Sequence, residues 1–360
     1  MRILFISRAT LYKDKGGDTI QIVNTARYLG KLGAEVTIRL CNEHIDYSRF
    51  DIIHFFNIIR PADILLHIDR SGKPFVVSTI YVDYSEYEKN ERTGTAGILF
   101  KIFSPDAIEY LKVIGRFIAN GEKIVSTKYL LLGQKKSIKK IISGSGMLLP
   151  NSHSEYKRLS QDYNITKTFK VIPNAIDTSL FNEKSGNETR SDNLVICVGR
   201  IEGRKNQLNL IKALNGTEFR LVIIGSPSAN QVKYYAKCKE IAAPNVSFVE
   251  SVEQEELIDY YKAAKVHALP SWFETTGLSS LEAAAMGCNI VITEKGDTRE
   301  YFENYAYYCD PGSPQSIFDA IRKAATNSTS RELQKKILNQ YTWSHAAKLT
   351  LEAYEEIVRD

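Results

Sequence analysis

The chain has 360 residues, 43% of them apolar and 25% charged, with a formal net charge of +5. That length exceeds what one hydrophobic core usually supports, and the composition is that of an ordinary globular protein, which argues for two domains and against disorder. Five scattered cysteines without a Cys-x-x-Cys pair argue against a disulfide framework or a zinc site and fit a reducing compartment. No run approaches the ~18 apolar residues of a membrane span. The apolar start at residues 3–7 is too brief for a signal peptide and reads as a first buried strand.

In chain order, residues 3–7 form a strand, Gly16 and Gly17 a turn, residues 19–32 a helix stopped by Gly33, and residues 34–40 a second strand. This βαβ opening implies a parallel sheet. Residues 51–56, 75–79, 146–150 and 168–172 read as further strands. Residues 174–192 are rich in Asn, Asp, Ser and charge, the composition of a linker. A second set follows: strand 193–199, helix 206–214, strand 219–225, helix 229–241, strand 246–249, helix 254–264, strand 265–269, a loop, a short helix, and strand 288–293. The chain closes on an amphipathic helix after residue 341. These expectations give a first domain over 1–180, a second over 181–340, and a C-terminal helix over 341–360 that returns to the first.

Charge divides unevenly between the halves. Residues 1–190 hold 28 Lys and Arg against 20 Asp and Glu, a balance of +8, and the remainder holds 19 against 22, a balance of −3. A basic half seeks an anionic partner. Residues 101–141 carry Lys112, Arg116, Lys123, Lys128, Lys135, Lys136, Lys139 and Lys140 among Ile, Leu, Phe and Val. Such a stretch either lies on an anionic membrane surface or is a solvated helical face, and composition leaves both open. No nucleic-acid motif accompanies the charge.

The richest segment is Trp272-Phe273-Glu274-Thr275-Thr276-Gly277-Leu278-Ser279-Ser280-Leu281-Glu282. It sets one carboxylate in a loop after a strand and a second inside a short helix introduced by Gly277. The helix start offers unpaired N–H groups and a positive dipole end to phosphate, and carboxylates accept hydrogen bonds from hydroxyls. A nucleotide-sugar presents both kinds of group. Loops at strand C-termini are where open α/β sheets bind ligands.

Taken with Gly16-Gly17, Val171-Ile172-Pro173-Asn174-Ala175-Ile176-Asp177, Val198-Gly199-Arg200, Lys205-Asn206, residues 221–225 and Leu269-Pro270-Ser271, this segment resembles the retaining nucleotide-sugar glycosyltransferases of the GT-B fold, family 4. The resemblance covers nearly all of the second half and parts of the first. It implies two doubly wound, Rossmann-like α/β domains, a nucleotide-diphosphate sugar as substrate, no cofactor and no metal. Arg200 and Lys205 would neutralise the leaving diphosphate, Glu274 would contact the donor sugar, and Glu282 would hold the ribose. Gly199, Thr276, Gly277 and Leu278 would line the donor site, with Gly16 and Gly17 approaching from the first loop. No Asp-x-Asp metal clamp occurs.

One departure stands out. Related sequences often place a His just after the strand at 75–79, where this chain reads Ser78-Thr79-Ile80-Tyr81-Val82-Asp83-Tyr84. Tyr81 or Asp83 is nearest in position and could meet a sugar or acceptor hydroxyl; His54 and His153 are the other histidines of the first half to weigh, each also explicable as a core or loop residue. The reading is therefore a cytoplasmic enzyme, peripheral on the inner membrane face if the basic stretch docks there, acting on a glycan or lipid-linked acceptor in envelope polysaccharide assembly. Its rivals are a nucleotide-sugar epimerase on the same fold and a catalytically degenerate glycan- or partner-binding subunit.

Overall fold

The computed structural model describes residues 1–90, 106–111, 126–182 and 190–359. These divide into two units, one of residues 1–81, 85–173 and 343–360, the other of residues 82–84 and 174–342.

In the first unit, β1 (Arg2–Ser7), β2 (Glu35–Leu40), β3 (Ile52–Phe56), β4 (Phe75–Ser78) and β5 (Met147–Leu149) form one parallel sheet in the order β2-β1-β3-β4-β5. Strands covered on both faces read as unbroken apolar runs, and Ile3 to Ile6 are buried accordingly. Helices α1 (Gly17–Lys31), α2 (Pro61–Ser71), α3 (Ser85–Asn90), α4 (Thr127–Gly144) and α5 (His153–Tyr163) accompany them. Helix α5 shows why it starts where it does: the Glu155 N–H donates to the Ser152 hydroxyl at 2.9 Å. The strand expected at 168–172 does not form. Only Phe169 bridges to Leu148, and although Pro150 accepts from the Ile172 N–H at 2.8 Å, proline has no N–H to return, which ends the ladder.

The second unit holds β6 (Ser191–Val198), β7 (Arg220–Ile224), β8 (Val246–Val249), β9 (Ala264–Leu269), β10 (Asn289–Thr293) and β11 (Tyr307–Cys309), ordered β11-β10-β9-β6-β7-β8 and parallel throughout. That is the strand order of the dinucleotide-binding fold, and its switch point lies between β6 and β9. Its helices are α6 (Gln207–Leu214), α7 (Val232–Ile241), α8 (Gln254–Ala263), α9 (Leu278–Ala285), α10 (Thr298–Phe302), α11 (Pro314–Thr326) and α12 (Arg331–Gln340). Two apolar clusters pack the two faces of the sheet.

The last helix, α13 (Trp343–Arg359), belongs to the first unit, where it packs against α1. The units meet in sequence at Pro173/Asn174 and Thr342/Trp343, not at residues 180 and 340 as the composition suggested. The reason is local. The Asn174 N–H donates to the Tyr301 hydroxyl at 3.2 Å, the Ile176 N–H donates to the Tyr341 carbonyl at 2.9 Å, and Phe181 is 1% exposed in the second core. Residues 174–182 are thus integral to the second unit despite their polar composition. Residues 183–189 of the expected linker lie outside the described residues.

Candidate functional site

Strand β6 ends at Val198, and the chain turns through Gly199 to Arg200. The turn is seated on β7. The Gly199 N–H donates to the Ile224 carbonyl at 3.0 Å and the Ile201 N–H to the Ser226 carbonyl at 3.1 Å. Gly225 permits this, because a Cβ there would stand 2.1 Å from the Gly199 carbonyl oxygen. Arg200 therefore emerges at the switch point, its side chain 41% exposed and 3.5 Å from Glu202. A single 3-10 turn (Gly203–Lys205) follows, ending on left-handed Asn206, φ +62°, whose amide donates to the carbonyls of Pro270 and Pro311. The first bond ties the Lys205 turn to the loop after β9, and the second ties it to the segment after β11.

The loop after β9 supplies the carboxylate. Glu274 accepts from Lys205 Nζ at 2.6 Å and from the Ser271 hydroxyl at 3.0 Å, with its own side chain 9% exposed. Burial works against the Lys205 ammonium, yet attraction from the Glu274 carboxylate, with Tyr84 and Glu202 nearby, leaves its pKa above the ordinary value. The lysine is held charged.

Helix α9 begins two residues after Thr276, capped by Gly277. Thr276 accepts from the Asn174 amide at 3.2 Å, and the Ser279 hydroxyl donates to the Val198 carbonyl at 2.9 Å, so the helix start is bound to the end of β6. First-turn N–H groups have no acceptor within their own helix. Further along, Glu282 accepts from the Gln254 amide at 3.1 Å and the Tyr261 hydroxyl at 3.0 Å. Burial pushes its carboxyl up to about 7, against the opposing pull of those two hydrogen bonds. The start of α9 thus falls between Glu274 and Glu282 in the chain, and Arg200 and Lys205 follow the neighbouring strand β6.

The second unit gathers Gly199, Arg200, Lys205, Glu274, Thr276, Gly277, Leu278 and Glu282 at the carboxyl ends of β6 and β9. Asp83 is an exposed member of the same unit. Gly16 and Gly17 belong to the first unit, where Gly16 caps α1 and its N–H donates to the Thr19 hydroxyl at 3.2 Å. Tyr81 also lies there. Its hydroxyl donates to Asp162 at 2.6 Å and its N–H to Glu155 at 2.8 Å. His54 is 1% exposed, with Nδ1 2.6 Å from the Tyr354 hydroxyl and Nε2 2.8 Å from the Ser78 hydroxyl. Both ring nitrogens are committed, and burial depresses its pKa to about 3, so His54 is a core residue with nothing to offer a sugar.

One residue at this site escaped the sequence reading. Tyr84 belongs to the second unit, its ring 4.4 Å beneath the Arg204 guanidinium and edge-on to Phe273 at 6.1 Å. Its only signal was membership of the segment that departs from the common His pattern.

Two parallel, doubly wound units of this kind are the architecture of the GT-B fold. Residues 178–340 match the model of the glycosyl transferases group 1 family. The chain is 26% identical over 248 residues to the D-inositol 3-phosphate glycosyltransferase of Nocardioides sp., covering 59% of this chain and 54% of that protein. A probable sucrose-phosphate synthase of Thermosipho melanesiensis is 26% identical over 217 residues, 57% of this chain and 51% of its own. The chain spans about half the length of these curated relatives. Among solved structures, sucrose-phosphate synthase from Thermosynechococcus elongatus superposes with a TM-score of 0.76 at 16% identity, covering 100% of this chain and 99% of that one. Anabaena HepE in complex with UDP and glucose gives 0.68 at 14% identity over 99% and 100%. At these identities the likeness is one of fold.

Proposed function

We propose that this chain is a retaining glycosyltransferase that moves a sugar from a nucleoside diphosphate to a glycan or lipid-linked acceptor without a metal, in cell-envelope polysaccharide assembly. The observation that carries the reading is the 2.6 Å Lys205–Glu274 pair beside the start of α9. Breaking the anomeric C–O bond leaves negative charge on the diphosphate. Lys205 and Arg200 supply fixed positive charge there, and the first-turn N–H groups at Leu278 supply oriented dipoles, all in place before the charge develops. Glu274 accepts from hydroxyls of the departing sugar, and Glu282 accepts from the vicinal ribose hydroxyls.

Retention follows if the acceptor hydroxyl attacks from the face the diphosphate leaves, passing its proton to a leaving-group oxygen, so that one C–O bond breaks as another forms. A metal clamp is unnecessary where two side-chain cations and a helix dipole stand at the leaving group. No helix among the described residues is long and apolar enough to cross a membrane. Action at the cytoplasmic face of the membrane therefore calls for a surface contact, for which α4 is the candidate. Its residues Lys128, Lys135, Lys136, Lys139 and Lys140 are described, whereas Lys112, Arg116 and Lys123 of the same basic stretch lie outside the described residues.

The test is a thermal-shift panel of UDP-glucose, UDP-N-acetylglucosamine and GDP-mannose, UDP-glucose first because it is the ligand of a HepE structure of the same fold. A ligand that binds the native state alone raises the melting temperature. Stabilisation by at least one donor, with release of its nucleoside diphosphate over time, supports transfer; no response to any nucleotide favours the non-catalytic subunit.

A further inference from the structure

The Glu274 carboxylate owes its place to a loop that the proposed chemistry does not touch. After β10 the chain runs Thr293-Glu294-Lys295-Gly296-Asp297-Thr298, and this loop grips the Glu274 backbone from both sides. The Glu274 N–H donates to the Lys295 carbonyl at 3.0 Å, and the Asp297 N–H donates to the Glu274 carbonyl at 3.0 Å, with Gly296 as the bridging partner. Gly296 adopts φ +109°, and a Cβ on it would lie 2.1 Å from the Glu274 carbonyl oxygen, 2.9 Å from its carbonyl carbon and 3.1 Å from its nitrogen. All three are backbone atoms, so no flexible side chain can yield.

The loop is rigid in its own right. The Thr298 hydroxyl donates to the Thr293 carbonyl at 2.7 Å, the Lys295 N–H donates to the Thr293 hydroxyl at 3.1 Å, and Asp297 is 1% exposed. On the other side the Trp272 N–H donates to the Arg204 carbonyl at 2.9 Å, next to Lys205. The segment carrying Glu274 is thereby spanned between the Lys205 turn and the Gly296 bridge. Displacement at either end draws the carboxylate away from the ammonium.

We infer that Gly296 is a positioning residue for the donor site, the one position in its loop where the absent side chain lets the backbone close on Glu274 and hold its carboxylate against Lys205. This rests on the function proposed above only for its catalytic consequence; the geometric claim stands apart.

Gly296→Ala tests it, with Gly216→Ala as the control, because Gly216 also has positive φ (+69°) but nothing within 4 Å of a prospective Cβ. Both substitutions lower the melting temperature. Only Gly296→Ala weakens binding of the panel's best donor, by about tenfold in calorimetric Kd, and the same substitution added to Glu274→Gln weakens it less than about twofold, since a residue acting through Glu274 has nothing left to act on. A full tenfold loss in the Glu274→Gln background overturns the inference. Should Gly296→Ala fail to fold, Thr298→Val loosens the same loop without adding volume and shows the same dependence on Glu274. A crystal structure of whichever variant folds decides the geometry without any donor: a Lys205–Glu274 separation beyond the 4.0 Å ion-pair limit is expected, and an unchanged 2.6 Å pair overturns it. Silence of every nucleotide-sugar on the unsubstituted protein, with the pair broken in the variant, refutes the function and leaves the positioning role standing.

Discussion

Lys205 and Glu274 stand 69 residues apart in sequence and 2.6 Å apart in space, the lysine side chain 24% exposed and the glutamate 9%. At that burial neither partner is replaceable by solvent. Lys205→Ala is expected to lower the rate of donor turnover by roughly 10²- to 10³-fold, the cost of losing one preorganised charge at a developing anion. It also strands Glu274, at about 2 kcal/mol of stability. Glu274→Gln keeps the shape and the Ser271 hydrogen bond, so its rate loss comes with a smaller drop in melting temperature. Initial rates of nucleoside diphosphate release together with melting curves check both; turnover within threefold of the unsubstituted protein in either variant refutes the assignment.

Glu282 predicts a dependence on pH. Its carboxyl is raised from 4.5 to about 7 by burial, so the folded protein holds this proton more tightly than the unfolded chain does. The resulting stability is complete below about pH 4.5 and is lost as pH rises through about 7, amounting to about 3 kcal/mol. Ligand binding runs the other way, because only the ionised carboxylate accepts from both ribose hydroxyls. Nucleotide-sugar affinity therefore improves about tenfold from pH 6 to pH 8 as the competent fraction rises. Calorimetry across that range on the unsubstituted protein and on Glu282→Gln checks this, and an equal slope in the variant removes Glu282 from the role.

What the sequence disclosed and what it hid differ in range. The strand, loop and helix around Glu274 and Glu282 were legible because apolar periodicity and Gly277 act within a few residues of one another. Arg200 and Lys205 were legible because the motif sits at the end of its own strand. Gly296 was not, since nothing in a lone glycine between β10 and α10 announces that its hydrogen of substitution faces the Glu274 carbonyl. Nor could His54 be placed: its partner Tyr354 is 300 residues away. Residues 174–182 looked like linker because their hydrogen-bonding partners, Tyr301 and Tyr341, lie far along the chain.

The buried His54–Tyr354 contact gives a clean separation of stability from function. Tyr354 is fully buried on α13, and its hydroxyl lies 2.6 Å from His54 Nδ1. Tyr354→Phe leaves that nitrogen without its partner, costing about 1 to 3 kcal/mol in the first unit. Nucleotide-sugar affinity should be unchanged within twofold. A chemical denaturation curve and a donor titration on the same variant check this pair of outcomes, and a loss of affinity comparable to that of Lys205→Ala would return His54 to the candidate site.

The basic surplus of the first half is testable on α4. Along this helix Ile138, Ile141 and Ile142 are buried in the first unit's core, while Lys135, Lys136 and Lys140 are exposed and Leu131 is 88% exposed. Lys128, by contrast, is engaged with Asp69 at 2.8 Å. Gly133, at φ +68°, kinks the helix between Leu131 and the exposed lysines. An exposed leucine and several lysines on one segment suit shallow insertion into a lipid surface and pairing with anionic headgroups, each lysine contributing about 1 kcal/mol near the membrane. Reversing Lys135, Lys136, Lys139 and Lys140 to Glu removes those attractions and adds repulsion, so partitioning onto phosphatidylserine vesicles should fall by more than about 10²-fold. Phosphatidylcholine vesicles should bind neither form, and raising the salt concentration should weaken the unsubstituted protein's binding. Leu131→Asp should weaken it further without altering donor affinity, because Leu131 belongs to the first unit and the donor-site residues to the second. Co-sedimentation measures all of these, and an unsubstituted protein that stays in the supernatant with anionic vesicles identifies the lysines as a solvated face.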